Sequence, residues 1–351
     1  MKEVASPCRW GILGAASIAR KNVRAMHLAD NARPVAIASR NPVKAAAFAE
    51  EHGVDRTHRD YESLLRDPDV DAVYIPLPTT LHREWTVRAA EAGKHVLCEK
   101  PVAANATDAE AMIEACRDAG VQFMDGLMFM HHERMRRVES MLPRLGAEPN
   151  LLTSGFSFRG DADFFENNIR GDVEAEPLGC VGDLGWYCIR MAIEVMGGIP
   201  EAARARHHRM HGAIPIHTTA ELDFPGPDGV RHAMIQCSFL HPLRQWVEIC
   251  GPDGAMWMED FVIGSPTEAV LRLETESNLT DRDLVHERRI ERIVVEDCVQ
   301  EVEMIRRFSD IARNDRPLEP RWATRSHETQ RVVDAIMASA SVGGARIPID
   351  P

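Results

Sequence analysis

Between residues 9 and 126 the chain alternates short β-rich runs with helical patterns, and that rhythm admits few folds. The strand-like runs are 10–13, 34–38, 72–75, 95–97 and 122–124. Between them the apolar spacing turns helical, over 18–28, 43–52, 61–66, 82–92 and 107–119. Parallel strands need crossovers of this kind, so the pattern predicts a doubly wound parallel sheet that binds a nucleotide at its C-terminal edge.

Past a helical stretch at 134–145 the rhythm changes. Runs at 150–158, 218–224, 232–239, 247–250 and 255–258 read as strands, and the later ones have no helix between them. The tetrapeptide GPDG, at 226–229 and again at 251–254, is turn chemistry between such runs. One helix, 183–196, interrupts this half, and a helical pair at 299–313 and 324–341 closes the chain. At 351 residues the chain exceeds what one core usually serves. The expected fold class is α/β: a Rossmann dinucleotide-binding domain over 1–126, then an α+β domain over 127–351 with a large, mostly antiparallel open sheet. The C-terminal helices of the second domain are free to pack back on the first.

Charge and cysteine usage exclude several partners. A net charge of −13 is wrong for a phosphate-backbone binder, so no nucleic acid is expected. No apolar run approaches the roughly 18 residues of a membrane span, and residues 1–7 carry a Lys and a Glu, which is not leader chemistry. The eight cysteines are scattered with no C-x-x-C pair, as reduced thiols in a cytoplasmic protein would be. No membrane partner is expected.

"RWGILGAASIAR" joins the first strand to the first helix. Gly11 and Gly14 suit a tight turn, and a missing side chain at Gly14 lets a pyrophosphate reach the N–H groups of the helix start at Ala16, Ser17 and Ile18. The strict G-x-G-x-x-G spacing is not met, because Ile12 and Leu13 separate the two glycines. At the end of the second strand, where an acidic residue would select NAD by its ribose hydroxyl, the chain offers Ser39, Arg40 and Lys44. A hydroxyl and two cations suit a 2′-phosphate, so NADP is preferred over NAD; the alternative is that Arg40 and Lys44 are only solvated helix-start residues.

"GILGAASIA", "YESLLRDPDVDAVYIPLPTTLH", "AGKHVLCEKPVA", "GDLGWYCIR" and "VEICGPDGAMWM" follow one another along nearly the whole chain. In that order they resemble the Gfo/Idh/MocA family, the glucose–fructose oxidoreductase and inositol dehydrogenase group, with dimeric dihydrodiol dehydrogenases and NADP-dependent sugar dehydrogenases as nearby branches. The resemblance implies an NAD(P)-dependent oxidoreductase whose second domain supports the substrate pocket and carries the subunit contact, assembling as a homodimer or homotetramer through the C-terminal sheet. It implies that Lys100, in the family's E-K-P motif, binds the substrate hydroxyl beside the nicotinamide. It makes Tyr187 the acid/base candidate and Asp183 its orienting or substrate-binding neighbour, and it puts Pro76, Leu77, Thr79, His82 and Glu99 along the cofactor. Met130 and Glu133 stand where many sugar-using relatives have Arg and Pro, Thr79 replaces a frequent Asn, and Leu178-Gly179-Cys180 replaces a Gly-rich run. These departures weigh against a simple aldose.

The residues support this chemistry on their own terms. Oxidising a secondary alcohol needs a hydride acceptor, a base, and a donor for the developing alkoxide. Asp183 and Tyr187, four apart, share one face if helical, and a nearby ammonium would favour the ionised phenol. Lys100 stands at the end of a parallel strand, and the three can converge from both domains. The plain alternatives are a strand-end lysine extended to solvent, a core tyrosine, and Asp183 as a helix N-cap. Arg170 is the best remaining cation for the substrate. His207 and His211 in "RHHRMHG" would suit a metal only if helical, and no further ligand accompanies them, so no metal is expected. Adjacent His131 and His132 follow the domain junction. Besides oxidoreduction of a sugar, polyol or dihydrodiol-like substrate, two other readings use this fold: a non-catalytic dinucleotide-binding regulator and an NAD-dependent glycosidase.

Overall fold

In a computed structural model of the chain, residues 6–146, 148–227, 229–279 and 286–350 are described. Asp228, inside the first expected GPDG turn, lies outside the described residues. Two compact units result: residues 1–131 with 300–327, and residues 132–299 with 328–351.

The first unit holds β1 (Cys8–Leu13), α1 (Ser17–Leu28), β2 (Ala32–Ala38), α2 (Pro42–His52), β3 (Arg56–His58) and α3 (Tyr61–Leu65). It continues through β4 (Ala72–Ile75), α4 (His82–Glu91), β5 (His95–Cys98), α5 (Ala106–Asp118) and β6 (Phe123–Asp125). The six strands pair in parallel in the order β3-β2-β1-β4-β5-β6, the doubly wound arrangement expected. β1 and β4 are neighbours although β2 and β3 separate them in sequence, so the switch point falls between them. Their apolar runs are continuous because helices cover both faces: Ala72, Val73, Tyr74 and Ile75 are all fully buried. Helix α1 buries Ala19, Asn22, Val23 and Met26, the i, i+3, i+4, i+7 stripe of a one-sided helix. Asn105 caps α5, its side chain accepting from the Asp108 N–H at 2.9 Å.

A later helix belongs to this unit as well. α9 (Gln300–Ala312) packs Phe308 on Trp10 at 5.0 Å between ring centroids, and Trp10 Nε1 donates to Ser309 Oγ at 3.0 Å. Both rings are fully buried, so the indole finds its one acceptor inside the core.

The second unit is built on nine strands in the order β14-β13-β12-β11-β7-β10-β9-β8-β15. They are β7 (Leu151–Arg159), β8 (Ala202–His211), β9 (Ile214–Gly226), β10 (Gly229–Ser238), β11 (Leu240–Gly251), β12 (Gly254–Met258), β13 (Glu268–Leu279), β14 (His286–Glu296) and β15 (Ile347–Pro348). Among the described residues every pairing is antiparallel except β7 with β10, which matches the expected mostly antiparallel sheet. Its helices are α6 (Glu133–Met141), α7 (Ala162–Asn167), α8 (Trp186–Met196) and part of α10 (Pro320–Ser341). One sheet face is buried, through Leu152, Ala220, Leu222, Ala233, Val247, Ile249, Met256 and Leu271. The alternating residues form an open face, on which Met234 is 49% exposed.

The helical spacing that a His207–His211 metal pair would need is absent: residues 206–211 lie in strand β8, with register shifts after His207 and Arg209. The β-pairing satisfies the backbone there, which a local reading of a polar run cannot reveal. The expected helix at 183 begins earlier, as a π-helical turn over Val181–Gly185 that continues into α8. Asp183 is therefore not an N-cap; Cys180 precedes the π turn.

Candidate active site

The phosphate cradle is built where β1 turns into α1. Gly14 has φ +115°, and its N–H donates to the Ala38 carbonyl at 2.8 Å. A side chain there would be strained and would meet Leu77 at 3.0 Å. Helix α1 then starts without a side-chain cap at Ala16 and without an acidic residue in its first turn, and Ser17 and Ile18 are exposed. An N-terminus left uncapped and open is a fit for an anionic group. Gly11 plays a different part from the one expected. It sits inside β1, opposite Ala36 and Val73, and a Cβ would lie 2.6 Å from Leu64. Its glycine is required by packing against α3, not by the turn.

At the end of β2 no carboxylate stands ready for a ribose hydroxyl. Ser39 is 9% exposed and its Oγ accepts from the Asn41 N–H at 3.2 Å, while Asn41 caps α2 through the N–H groups of Val43 and Lys44. Arg40 and Lys44 are exposed. Tyr61, the first residue of α3, was not singled out by its sequence. Its phenol lies near enough to Arg40 to feel the guanidinium charge, and is 3.8 Å from where a Gly14 Cβ would be. Burial pushes the phenol pKa up, with Arg40 opposing, so Tyr61 stays a neutral support for the guanidinium. Its position at the head of a helix after the third strand was the available signal.

Pro76, Leu77 and Thr79 follow β4 as buried residues. His82, 1% exposed, ties this segment to the one after β5: Nε2 lies 2.7 Å from the Leu77 carbonyl, and Nδ1 lies 3.0 Å from that of Pro101 and 3.2 Å from that of Val102. Burial lowers its pKa to about 4, with the Lys100 charge acting in the same direction, so the ring is neutral near pH 7. Glu99 is 6% exposed at the end of β5; its Oε1 accepts from the Tyr74 hydroxyl at 2.5 Å and its Oε2 lies 3.3 Å from the Lys100 N–H. Lys100 is half-buried, one residue beyond the carboxylate, and its peptide to Pro101 is cis. Glu99 and Lys100 thus both stand past the C-terminal end of β5, at the sheet's ligand-binding edge.

In the second unit Arg170 and Asp183 form a bidentate pair, Nε to Oδ2 at 2.6 Å and the second donor to Oδ1 at 3.1 Å. Arg170 is launched from a short 3-10 turn capped by Asn168, whose Oδ1 accepts the Arg170 N–H at 3.1 Å. Asp183, first through its charge and then through its hydrogen bonds, raises the Arg170 pKa further, with Glu176 and Tyr187 adding smaller contributions, so the guanidinium keeps its charge. Tyr187 stands edge-on to Phe156 of β7, ring centroids 5.4 Å apart. Beside this, Phe158, Phe164 and Phe239 form a continuous aromatic cluster with centroids 5.1–5.5 Å apart. A π-helical turn that presents Asp183 is a local departure from regular helix of a kind common at functional sites. His131 stacks on Trp322 at 4.6 Å, and His132 caps α6, its Nδ1 accepting from the Arg134 N–H at 3.0 Å.

Two family models match the chain: the oxidoreductase family with NAD-binding Rossmann fold over residues 8–127, and the GFO/IDH/MocA C-terminal domain over 144–257. The chain belongs to the GFO/IDH/MocA family. Among similar family members is the D-xylose 1-dehydrogenase (NADP(+)) 2 of Haloferax volcanii, 34% identical over 261 residues, 74% of this chain and 78% of that one. Another is the dTDP-3,4-didehydro-2,6-dideoxy-alpha-D-glucose 3-reductase of Actinomadura kijaniata, 30% identical over 353 residues and 96% of each chain. The crystal structure of a 3-ketoreductase from Actinomadura kijaniata with NADP and TDP-benzene matches with a TM-score of 0.82 at 29% identity, covering 95% of this chain and 98% of that one. This GFO/IDH/MocA protein is therefore an NAD(P)-dependent oxidoreductase, and the regulator and glycosidase readings give way to it.

Proposed function

We propose that the protein transfers a hydride between NADP and a secondary alcohol or carbonyl of a sugar-like substrate. The observation that carries the cofactor choice is the Arg40–Tyr61 pair beside the Gly14 turn, with no acidic residue at the end of β2. A guanidinium supports a 2′-phosphate, and a relative named for NADP and a structure solved with it accord with this. Gly14, Ala16, Ser17 and Ile18 receive the pyrophosphate; Ser39, Arg40 and Lys44 receive the ribose phosphate; Pro76, Leu77, Thr79, His82 and Glu99 border the nicotinamide half. Gly11 lies inside β1, packed against Leu64 of α3.

The bound nicotinamide supplies the hydride exchange at the carbon that bears the oxygen. Lys100 donates to that oxygen and stabilises alkoxide character in the transition state. Tyr187 carries the proton, and Asp183 and Arg170 orient substrate hydroxyls, the carboxylate accepting and the guanidinium donating. The relatives act on xylose and on a dTDP-linked keto sugar, and carbohydrate hydroxyls suit a polar pair set beside aromatic rings.

The assembly reading belongs here as well. The open face of the nine-stranded sheet carries Met234, Trp246 and Trp257 among Arg204, Glu221, Glu248 and Arg272, a mixture complementary to itself. A groove of about 470 Å³ on this face, lined by Thr219, Met234 and Trp246, contains none of the chemistry-bearing residues. A second copy of the chain is the occupant, giving a homodimer or homotetramer. Among the described residues no helix is long and apolar enough to cross a membrane, and all eight cysteines are free, which supports a cytoplasmic setting.

The test is a turnover assay. The protein is mixed with NADP or NADPH and a panel of aldoses, polyols, diols and nucleotide-linked keto sugars, and reduced nicotinamide is followed by absorbance. Turnover with at least one carbohydrate, and preference for NADP over NAD, is expected. Cofactor binding with no turnover across the panel would overturn the substrate class, and light scattering that reports a monomer would overturn the assembly.

A further inference from the structure

A line of buried polar groups runs through the Rossmann unit to the carboxylate beside Lys100. Asn22 of α1 and Tyr74 of β4 are both fully buried, and Glu99 is 6% exposed. Asn22 Nδ2 donates to the Tyr74 hydroxyl at 2.6 Å and lies 3.5 Å from Glu99 Oε1. The Tyr74 hydroxyl donates to Glu99 Oε1 at 2.5 Å, and the Lys100 N–H faces Oε2 at 3.3 Å. Gly126, following β6, leaves the room this carboxylate needs, since a Cβ there would lie 3.1 Å from Oε1.

With the Asn22 amide nitrogen donating to the phenol oxygen, Tyr74 has its own hydrogen to send to Glu99. Tyr74 remains a donor throughout the working pH range, because burial and then the Glu99 charge hold its pKa well above the usual phenol value. Hydrogen bonds directed at the charged form of a carboxylate favour it over the neutral acid. The other ionisable groups around it are Cys98 at the end of β5, Asp125 at the end of β6, Lys100, and His82, which is neutral near pH 7.

A charge maintained at this edge does more than hold backbone. In a sheet of this order the second half, β4 to β6, receives the nicotinamide, and Glu99 is the first residue past its central strand. A nicotinamide ring is cationic when oxidised and neutral when reduced. A fixed carboxylate in a dry setting therefore stabilises one form of the couple over the other.

We propose that the Asn22–Tyr74–Glu99 line is a positioning device that biases the bound cofactor toward its oxidised form and so sets the enzyme for carbonyl reduction. Glu99 acts on the ring through its charge, and Tyr74 and Asn22 act through Glu99. This rests on the cofactor site proposed above. By linkage, the bias equals the ratio of affinities for the two cofactor forms, which can be measured without any substrate.

The experiment is a fluorescence titration of the full chain with NADP⁺ and, separately, with NADPH, for the parent protein, Glu99→Gln and Tyr74→Phe. Glu99→Gln keeps the shape and can still accept from Tyr74, yet removes the charge. It is expected to weaken NADP⁺ about tenfold, equivalent to about 1.4 kcal/mol, with NADPH changed less than about twofold. Tyr74→Phe removes one hydroxyl and should shift the ratio in the same direction by roughly threefold. It also serves as the test if Glu99→Gln does not fold. Equal losses for both cofactor forms, or an unchanged ratio in both variants, would overturn the proposal while leaving the cofactor site intact. Failure of the parent protein to bind either form would overturn the site reading, and this inference with it.

Discussion

Arg170 grips Asp183 through two parallel N–H···O bonds of 2.6 and 3.1 Å, across thirteen residues of sequence and from two different kinds of helical turn. The carboxylate is 12% exposed and the guanidinium 37% exposed, so the pair is partly screened. The chain therefore carries its own counter-ion for Asp183.

Replacing Arg170 by Ala leaves a largely buried carboxylate without its bidentate partner. A loss of roughly 1–2 kcal/mol is expected, below the value for a fully buried pair because of the guanidinium's exposure. Urea unfolding measures it. If Arg170 also holds substrate, kcat/KM should fall by more than a stability change explains, whereas unaltered kinetics would confine the pair to a structural role.

Lys100→Met keeps most of the side-chain length and removes the ammonium. The expected result is a drop in kcat on the order of 100- to 1000-fold, the usual size for losing one transition-state donor, with NADP affinity changed little. A variant that turns over at the parent rate would remove Lys100 from the chemistry.

Arg40 is exposed and rests on the buried Tyr61 phenol. Arg40→Ala should weaken NADP roughly tenfold or more while NAD changes by less than about twofold, since only the former carries the 2′-phosphate. Calorimetric titration of both cofactors checks this, and equal losses would count against the assignment.

His82 gives a pH prediction with a definite sign. Its pKa is about 4 in the fold, below the ordinary value of 6.5, so the unfolded chain binds more protons between those limits. Its contribution is complete above about pH 6.5 and is lost as the pH falls toward 4, at most about 3 kcal/mol in all. His82→Gln cannot take up that proton. The stability of the variant should fall less steeply than that of the parent between pH 6.5 and 4, by about one proton's worth of slope; superimposable slopes would place the titration elsewhere.

Much of the first unit was legible because its signals are local. Strands β1, β2, β4, β5 and β6 are continuous apolar runs, and α1 repeats its buried stripe at helical spacing, patterns that need no knowledge of neighbours. Strands β8, β13 and β14 were not picked out, since charged residues alternate through them on the open face of the sheet. The glycines divide in the same way. Gly14 is required by its own backbone, at φ +115°, which a turn motif reveals, but Gly11 is required by Leu64, which no local pattern shows.

From its sequence alone this chain determines two architectures in order, a glycine turn that can meet a phosphate, an absence of acid at the end of β2, and a lysine at the end of β5. Each of these is a property of adjacent residues, written in period, turn chemistry and residue type. Only the tertiary structure decides that Asp183 answers to Arg170 and does not cap its helix, that Tyr61 supports Arg40, that His82 staples two segments together, and that Tyr74 points its hydrogen at Glu99. Those relationships join positions from 5 to 25 residues apart. They exist only after the backbone has brought the partners within hydrogen-bond distance, where a buried polar group that fails to find one costs about 1–3 kcal/mol.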